Sequence, residues 1–332
     1  MPVAHVSIPV ADIQKSTAFY KAVLQPFGYG IFKELGSVVG FAPKYGNPDF
    51  WLHSCPNESK PANGSPRLTA HVAFEGASQK AVQDWHRMAL DKKNIIIVGA
   101  GPLISHSLSL WLASQNWEIV LISRSQDKLD GYAKEIQSLH PDTRVLTRTA
   151  DASQPSSLTP ALDWAAAQLG GKVDVLCYNA ANVSPYDLMS LTPEELESSF
   201  KIAAVGTLVA GQWFSKHANT ERISQNEYPL FLVPGGVLDK NPYPPYSSLS
   251  AAKSASQNLA RQFAIVLPEK FKILVGVPTI VDPIVPLEGG GWATKSVPEV
   301  IVDKTFRPFF EDREKIKHGE LTVEEWTLER VW

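Results

Sequence analysis

The sequence predicts an α/β protein: a doubly wound parallel sheet over residues 92–332, preceded over residues 1–91 by a smaller, incomplete α+β unit of βαβββ type. Three observations predict it. From Lys93 onward, short apolar strands alternate with long helical stretches, the pattern of βα units joined in parallel. Asn94–Val98 is apolar without alternation, as a strand must be when helices cover both its faces. Before Lys93, brief strands broken by Gly, Pro and Asn surround amphipathic helices, which is a different architecture.

At 332 residues two domains are expected, since single cores rarely grow beyond about 250–300 residues. A formal charge of −3 gives no electrostatic reason to expect nucleic acid or an anionic membrane as partner. No apolar run approaches the roughly 18–20 residues of a membrane span. The N-terminus reads as a strand from Val3, so no signal peptide is expected, and the reading is a soluble, cytoplasmic protein. Cys55 and Cys177 lack metal-site spacing and are expected to be buried or incidental thiols.

In the first unit, His5–Val10 reads as a strand, with Pro9 pointing to a sheet edge. Asp12–Leu24 reads as a helix with Ala18, Phe19, Ala22 and Val23 on its apolar face. Gly28–Phe32, Ser37–Phe41 and Asp49–His53 are short strands, and Pro56–Pro66 is a loop. The pattern then restarts with a strand at His71–Phe74 and a helix at Ser78–Leu90. The segments HVSIPVADIQKSTAFY, PDFWLH, HVAF and AVQDWH resemble the glyoxalase/bleomycin-resistance group of the vicinal-oxygen-chelate superfamily. That resemblance implies paired βαβββ modules and puts His5 and His71 where metal ligands stand. The strands that should follow Leu90 are replaced by the next domain, however, and a closed metal cup needs three or four convergent ligands. No metal is expected.

The second unit reads as alternating strands and helices from Asn94–Val98 to Lys272–Pro278, including one long helix over Pro193–Lys216. Its first turn, Val98-Gly99-Ala100-Gly101-Pro102-Leu103-Ile104-Ser105, leads from a strand into a helix. Glycines there let backbone amides approach a pyrophosphate, with the helix N-terminus favouring the negative charge. The second strand ends Ser123-Arg124 with no acid at its tip, which suits the 2′-phosphate of NADP over the ribose hydroxyl of NAD.

These turns, with Asp151-Ala152, Asn179-Ala180-Ala181 and the run PYSSLSAAKSA, resemble the Rossmann domains of the short-chain dehydrogenase/reductase superfamily. The resemblance implies that Asp151 contacts adenine, that Asn179 and Ala180 stand in the asparagine-bearing turn, and that Lys253 is the active-site lysine. Leu103 and Ser105 occupy the second and third glycine positions of the motif, and Leu103 is expected to crowd the phosphates or push the loop outward. The catalytic tyrosine, serine and asparagine positions fall on Leu249, Gly236 and Ala203. A divergent group of the superfamily, with segments of the form TGGGL and YASLS, also carries leucine at the tyrosine position. Tyr246, seven residues before Lys253, is the candidate substitute acid, and Ser250 is a weaker one. Ile280–Pro298, with Gly289–Gly291 and Trp292, stands where that superfamily has its substrate lid. His106, His140, His217 and His318 show no partner spacing.

The leading functional reading is an oxidoreductase moving hydride between NADP(H) and a small carbonyl or alcohol, a homo-oligomer being compatible with it. The alternative is a non-redox cyclase, isomerase or binding protein that kept the fold and pocket; a chain whose two parts do not work together is the third reading.

Overall fold

The computed structural model describes residues 6–44, 48–54, 92–285, 287 and 293–332. The expectations for His5, Cys55, the Pro56–Pro66 loop, His71–Phe74, Ser78–Leu90, Gly289–Gly291 and Trp292 fall outside these residues. The chain divides into two compact units, Met1–Lys92 and Lys93–Trp332.

In the first unit, β1 (Val6–Val10) leads into α1 (Ile13–Leu24), followed by β2 (Tyr29–Glu34), β3 (Val38–Pro43) and β4 (Phe50–Ser54). The Asp12 side chain caps α1 by accepting from the Lys15 amide at 3.0 Å. Sheet order is β1-β4-β3-β2, with β1 parallel to β4 and the other pairs antiparallel. Pro9 therefore sits on an edge of the described sheet, where its missing N–H costs no ladder bond. Val23, Leu24, Val39, Phe41, Phe50 and Leu52 form the core, flanked by Ile13 and Tyr20. The buried stripe of α1 is thus Ile13, Tyr20, Val23 and Leu24 at helical spacing, not the face centred on Ala18 and Ala22. Phe19 is exposed and its ring meets the edge of Tyr20.

The second unit follows the parallel pattern. Its strands are β5 (Asn94–Val98), β6 (Glu118–Ser123), β7 (Val145–Thr149), β8 (Val175–Tyr178), β9 (Leu230–Leu232), β10 (Gly235–Gly236), β11 (Leu274–Ile280) and β12 (Glu329–Val331). Between them lie α2 (Ile104–Ser114), α3 (Gln126–Leu139), α4 (Pro155–Gln168), α5 (Pro193–Phe200), α6 (Gly206–His217), α7 (Ser247–Phe271), α8 (Pro298–Ile301) and α9 (Arg307–His318). The sheet runs β10-β11-β9-β8-β5-β6-β7, with β12 also beside β11, and every pair is parallel. Chain order reverses between β5 and β8, and ligands of such sheets bind outside the carboxyl ends at that point.

The uniform apolarity of β5 has a direct cause. Ile96 and Val98 face one core with Tyr178, Phe214 and Phe231, while Ile95 and Ile97 face the other with Leu108, Leu121 and Phe309. Burying both faces of one strand removes the polar alternation that a half-solvated strand shows.

The long helix expected over Pro193–Lys216 forms, running from Pro193 to His217, with a π turn inside it. Thr192 and Glu195 form a capping box at its start, and the π turn, over Lys201–Val205, separates α5 from α6. There the Tyr178 hydroxyl donates to the Ile202 carbonyl, so β8 is pinned to the widened turn. Gly206, next along, leaves room for that hydroxyl, which the Cβ of any larger residue would overlap. Among the described residues no helix is long and apolar enough to cross a membrane.

Candidate active site at the carboxyl edge of the sheet

The turn after β5 is built by two glycines with different duties. Gly99 has φ +84°, and a Cβ there would lie 2.5 Å from the Ala180 nitrogen, so this position holds glycine for both conformation and space. Gly99 and Ala100 amides both donate to the Ile122 carbonyl (2.9 and 3.1 Å), tying the turn to the end of β6. Gly101 is the opposite case: a Cβ there would meet only the Gly99 oxygen, at 4.0 Å. The space beside Gly101 is therefore open, as a backbone that receives a pyrophosphate requires.

Ser105 does not crowd that space. It is buried, its hydroxyl donates to the Gly99 carbonyl at 3.1 Å, and it accepts from Asn179 Nδ2 at 2.9 Å. The crowding expected from the loss of glycine thus does not apply to Ser105, which braces the turn from behind. Leu103 occupies the N-cap position of α2, without a side-chain capping bond, and is half-buried. Asn179 also donates its backbone amide to the Val98 carbonyl at 2.8 Å, and Ala180 packs under Gly99, so the turns after β5 and β8 form one braced unit.

Arg124 follows β6 and is exposed, with no ion pair among the described residues. Asp151, after β7, accepts from the Ser153 hydroxyl (2.7 Å) and amide (2.9 Å). Those hydrogen bonds, helped by the charge of Arg124, hold its carboxyl below the usual range. Asp151 and Arg124 therefore share one electrostatic neighbourhood at the sheet edge.

On α7, Lys253 donates to the Pro234 carbonyl at 2.9 Å. Burial of its ammonium pulls its pKa down to about 8, with Cys177 on β8 acting weakly in the other direction. Burial pushes the Cys177 thiol up to about 12. Leu249 stands one turn earlier than Lys253. Gly236 lies in β10, where a Cβ would come within 3.3 Å of the Ile280 carbonyl. Ala203 lies inside the π turn, and its carbonyl accepts from Thr207 at 2.6 Å. Tyr246 is the N-cap of α7 and its ring stacks on Tyr243, with centroids 6.1 Å apart. Its backbone pairs with Tyr186 in the loop after β8. The structure makes it a helix-start residue two turns from Lys253, and no hydrogen bond joins the two among the described residues. The Ser250 hydroxyl is committed to the Leu238 carbonyl at 2.8 Å.

Two groups of residues around the site gave no signal in the sequence. Asn182 donates to Ser199, which is hydrogen-bonded to Ser248, a buried bridge between the loop after β8, α5 and α7. Arg261 donates to Asp239 (2.7 Å) and Glu329 (3.1 Å), while Lys240 donates to Glu329 (3.0 Å). This cluster joins α7 and β12 to the turn after β10, whose Leu238 carbonyl holds Ser250. Neither is foreseeable from spacing, because their members lie 49 to 89 residues apart at the closing contacts. Among the described residues no group of three or more His, Cys, Asp or Glu side chains could hold a metal ion. A cavity of about 230 Å³ lined by Ser107, Trp111, Glu299 and Arg307 includes none of the residues above.

Comparison with known proteins agrees with this fold. The chain is 23% identical over 174 residues to the NADPH-dependent reductase BacG of Bacillus subtilis, covering 52% of this chain and 67% of that protein. Among solved structures it is similar to an alcohol dehydrogenase from the archaeon Thermococcus sibiricus complexed with 5-hydroxy-NADP (19% identity, 73% of this chain and 96% of that one, TM-score 0.56). It is also similar to a short-chain dehydrogenase/reductase from Burkholderia phymatum in complex with NAD (17% identity, 67% and 87%, TM-score 0.58). Residues 93–283, more than half of the sequence, match the family model for short chain dehydrogenase, and the chain belongs to that family.

Proposed function

We propose that residues 93–332 bind NADP(H) and move hydride between it and a small-molecule carbonyl or alcohol. The observation that carries this reading is Arg124, exposed at the tip of β6 with no acid beside it in sequence, its charge reaching Asp151. A guanidinium there suits a 2′-phosphate, whereas an acid would suit the free ribose hydroxyl. The residues present fit a dinucleotide: Gly101 leaves its side of the turn open, and Lys253 uses one of three ammonium donors among the described residues. Gly99, Gly101 and the N-terminus of α2 would hold the pyrophosphate, Leu103 and Ser105 forming the frame of that turn. Arg124 would hold the 2′-phosphate, Asp151 the adenine, and Asn179, Ala180 and Lys253 would lie along the nicotinamide half. When bound, the cofactor supplies or accepts the hydride. The chain positions it and handles the proton.

Titrating the protein with NADPH and NADH and following nicotinamide fluorescence tests this reading. Tighter binding of NADPH is expected; a preference for NADH that survives Arg124→Ala overturns it. The absence of side-chain hydroxyls and amide at Leu249, Gly236 and Ala203 favours a second reading, a non-redox catalyst or binding protein on the same fold. NADPH binding without turnover of any carbonyl or alcohol would select it. For the first unit, the β1-β4-β3-β2 order with α1 following β1, among the described residues, supports its containing a glyoxalase-like βαβββ module.

A further inference from the structure

We propose that the ammonium of Lys253 is itself the proton donor of the reduction, delivering its proton to the substrate oxygen where Leu249 offers none. The inference rests on the NADP(H) reading above and names the acid that reading lacks.

The argument runs by position and then by chemistry. Residues 246, 249, 250 and 253 share one side of α7 at its start, because three and four residues apart bring side chains together on a helix. Of these, Leu249 has no transferable proton. The Ser250 hydroxyl donates its hydrogen bond to the Leu238 carbonyl. Tyr246 is stacked on Tyr243 at the helix cap, about two turns from Lys253. Lys253 alone remains, and it is anchored: one donor is fixed on the Pro234 carbonyl at 2.9 Å, and the other two make no hydrogen bond among the described residues. A partly buried ammonium held at one donor, beside the end of β8 and the start of β10, keeps two protons that no described residue binds.

Burial also matches it to the task. An ordinary lysine is too weak an acid at neutral pH, but removal from water lowers its pKa to about 8. Among the described residues Cys177 is the titratable group that acts on it, and because burial keeps that thiol neutral up to about pH 12 it leaves this acidity in place. The step balances: hydride from the reduced nicotinamide forms the new C–H bond, the carbonyl π pair becomes the oxygen lone pair, and that oxygen takes a proton from Nζ. The neutral amine regains a proton from water. In the reverse direction the amine accepts the alcohol proton. Reduction is therefore supported by the acid form, present below pH 8 and lost as pH rises through it, and oxidation the reverse.

The test uses the full chain with NADPH and 4-nitrobenzaldehyde as probe, alongside competitive acetylation with acetic anhydride read by mass spectrometry. Lys253 is expected to titrate near 8, about two units below exposed lysines, and to be protected by NADPH. Lys253→Arg, which keeps the charge but cannot release a proton near neutral pH, is expected to bind NADPH within about 3-fold of the parent. It is expected to reduce the probe at least about 10²-fold more slowly. Lys253 labelling like a surface lysine, an Arg variant as active as the parent, a reduction rate flat from pH 6 to 10, or bound NADPH with no reduction of the probe each overturns the proposal. Absence of NADPH binding overturns the reading beneath it instead.

Discussion

Ser105 and Asn179 are joined by a hydrogen bond of 2.9 Å across the switch between the two halves of the sheet. A residue that interrupts a glycine motif thus braces the phosphate-side turn against the turn after β8, with its own hydroxyl passed on to the Gly99 carbonyl. The natural engineering instinct, to restore the glycine, should fail here.

Ser105→Gly is expected to destabilise the second unit by about 1–3 kcal/mol, because it leaves the Asn179 amide without its acceptor and adds a helix glycine. A fall of several degrees in Tm with no gain in NADPH affinity is the expected result. Tighter binding with unchanged Tm would show that the bond does not matter.

The two motif glycines should separate. Gly99→Ala places a Cβ against the Ala180 backbone in a left-handed conformation, costing about 1–2 kcal/mol or more and lowering Tm. Gly101→Ala enters open space, so Tm should hold while NADPH affinity falls about 10-fold or more. Equal effects of both changes on Tm would contradict this division.

Arg124→Ala should weaken NADPH about 10- to 100-fold, the worth of charged hydrogen bonds to a phosphate, and leave NADH within about 2-fold. Parallel fluorescence titrations decide it, and an equal loss for both cofactors would remove Arg124 from the 2′-phosphate.

Glu329 links stability to pH. Burial raises its pKa, but hydrogen bonds from Lys240 and Arg261 outweigh that and leave it below the usual carboxylate value. A depressed folded pKa contributes stability above the unfolded value of about 4.3, lost as pH falls through the folded one. Arg261→Met should therefore lower Tm by a few degrees at pH 7, with the gap to the parent narrowing below about pH 4. A gap that is constant from pH 7 to 3 would mean that the cluster holds nothing.

What the sequence made legible follows from what it can encode. The parallel sheet was readable because burial on both faces leaves an unbroken apolar run at Ile95–Val98, and the glycine turn because Gly99 has no substitute. The π turn at Lys201–Val205 was not, since the hydroxyl that bonds its Ile202 carbonyl stands on β8, more than twenty residues upstream. The face of α1 was legible only at Val23: Ala18, Phe19 and Ala22 are apolar, but the core lies against Tyr20, Val23 and Leu24. Ser105 looked like a lost glycine because the partner that gives it a duty, Asn179, is 74 residues away.

The fit of Gly206 against the Tyr178 hydroxyl sets the order in which this protein could change. Since the ring itself also comes within 2.5 Å of where a Cβ would be, Tyr178→Phe does not open the position. Position 178 must first shrink to a short side chain before position 206 can gain even a methyl group without overlap. Alanine acquired first at 206 would carry an overpacking cost of about 1–3 kcal/mol until position 178 shrank, so the two sites diverge more readily in one order than in the other.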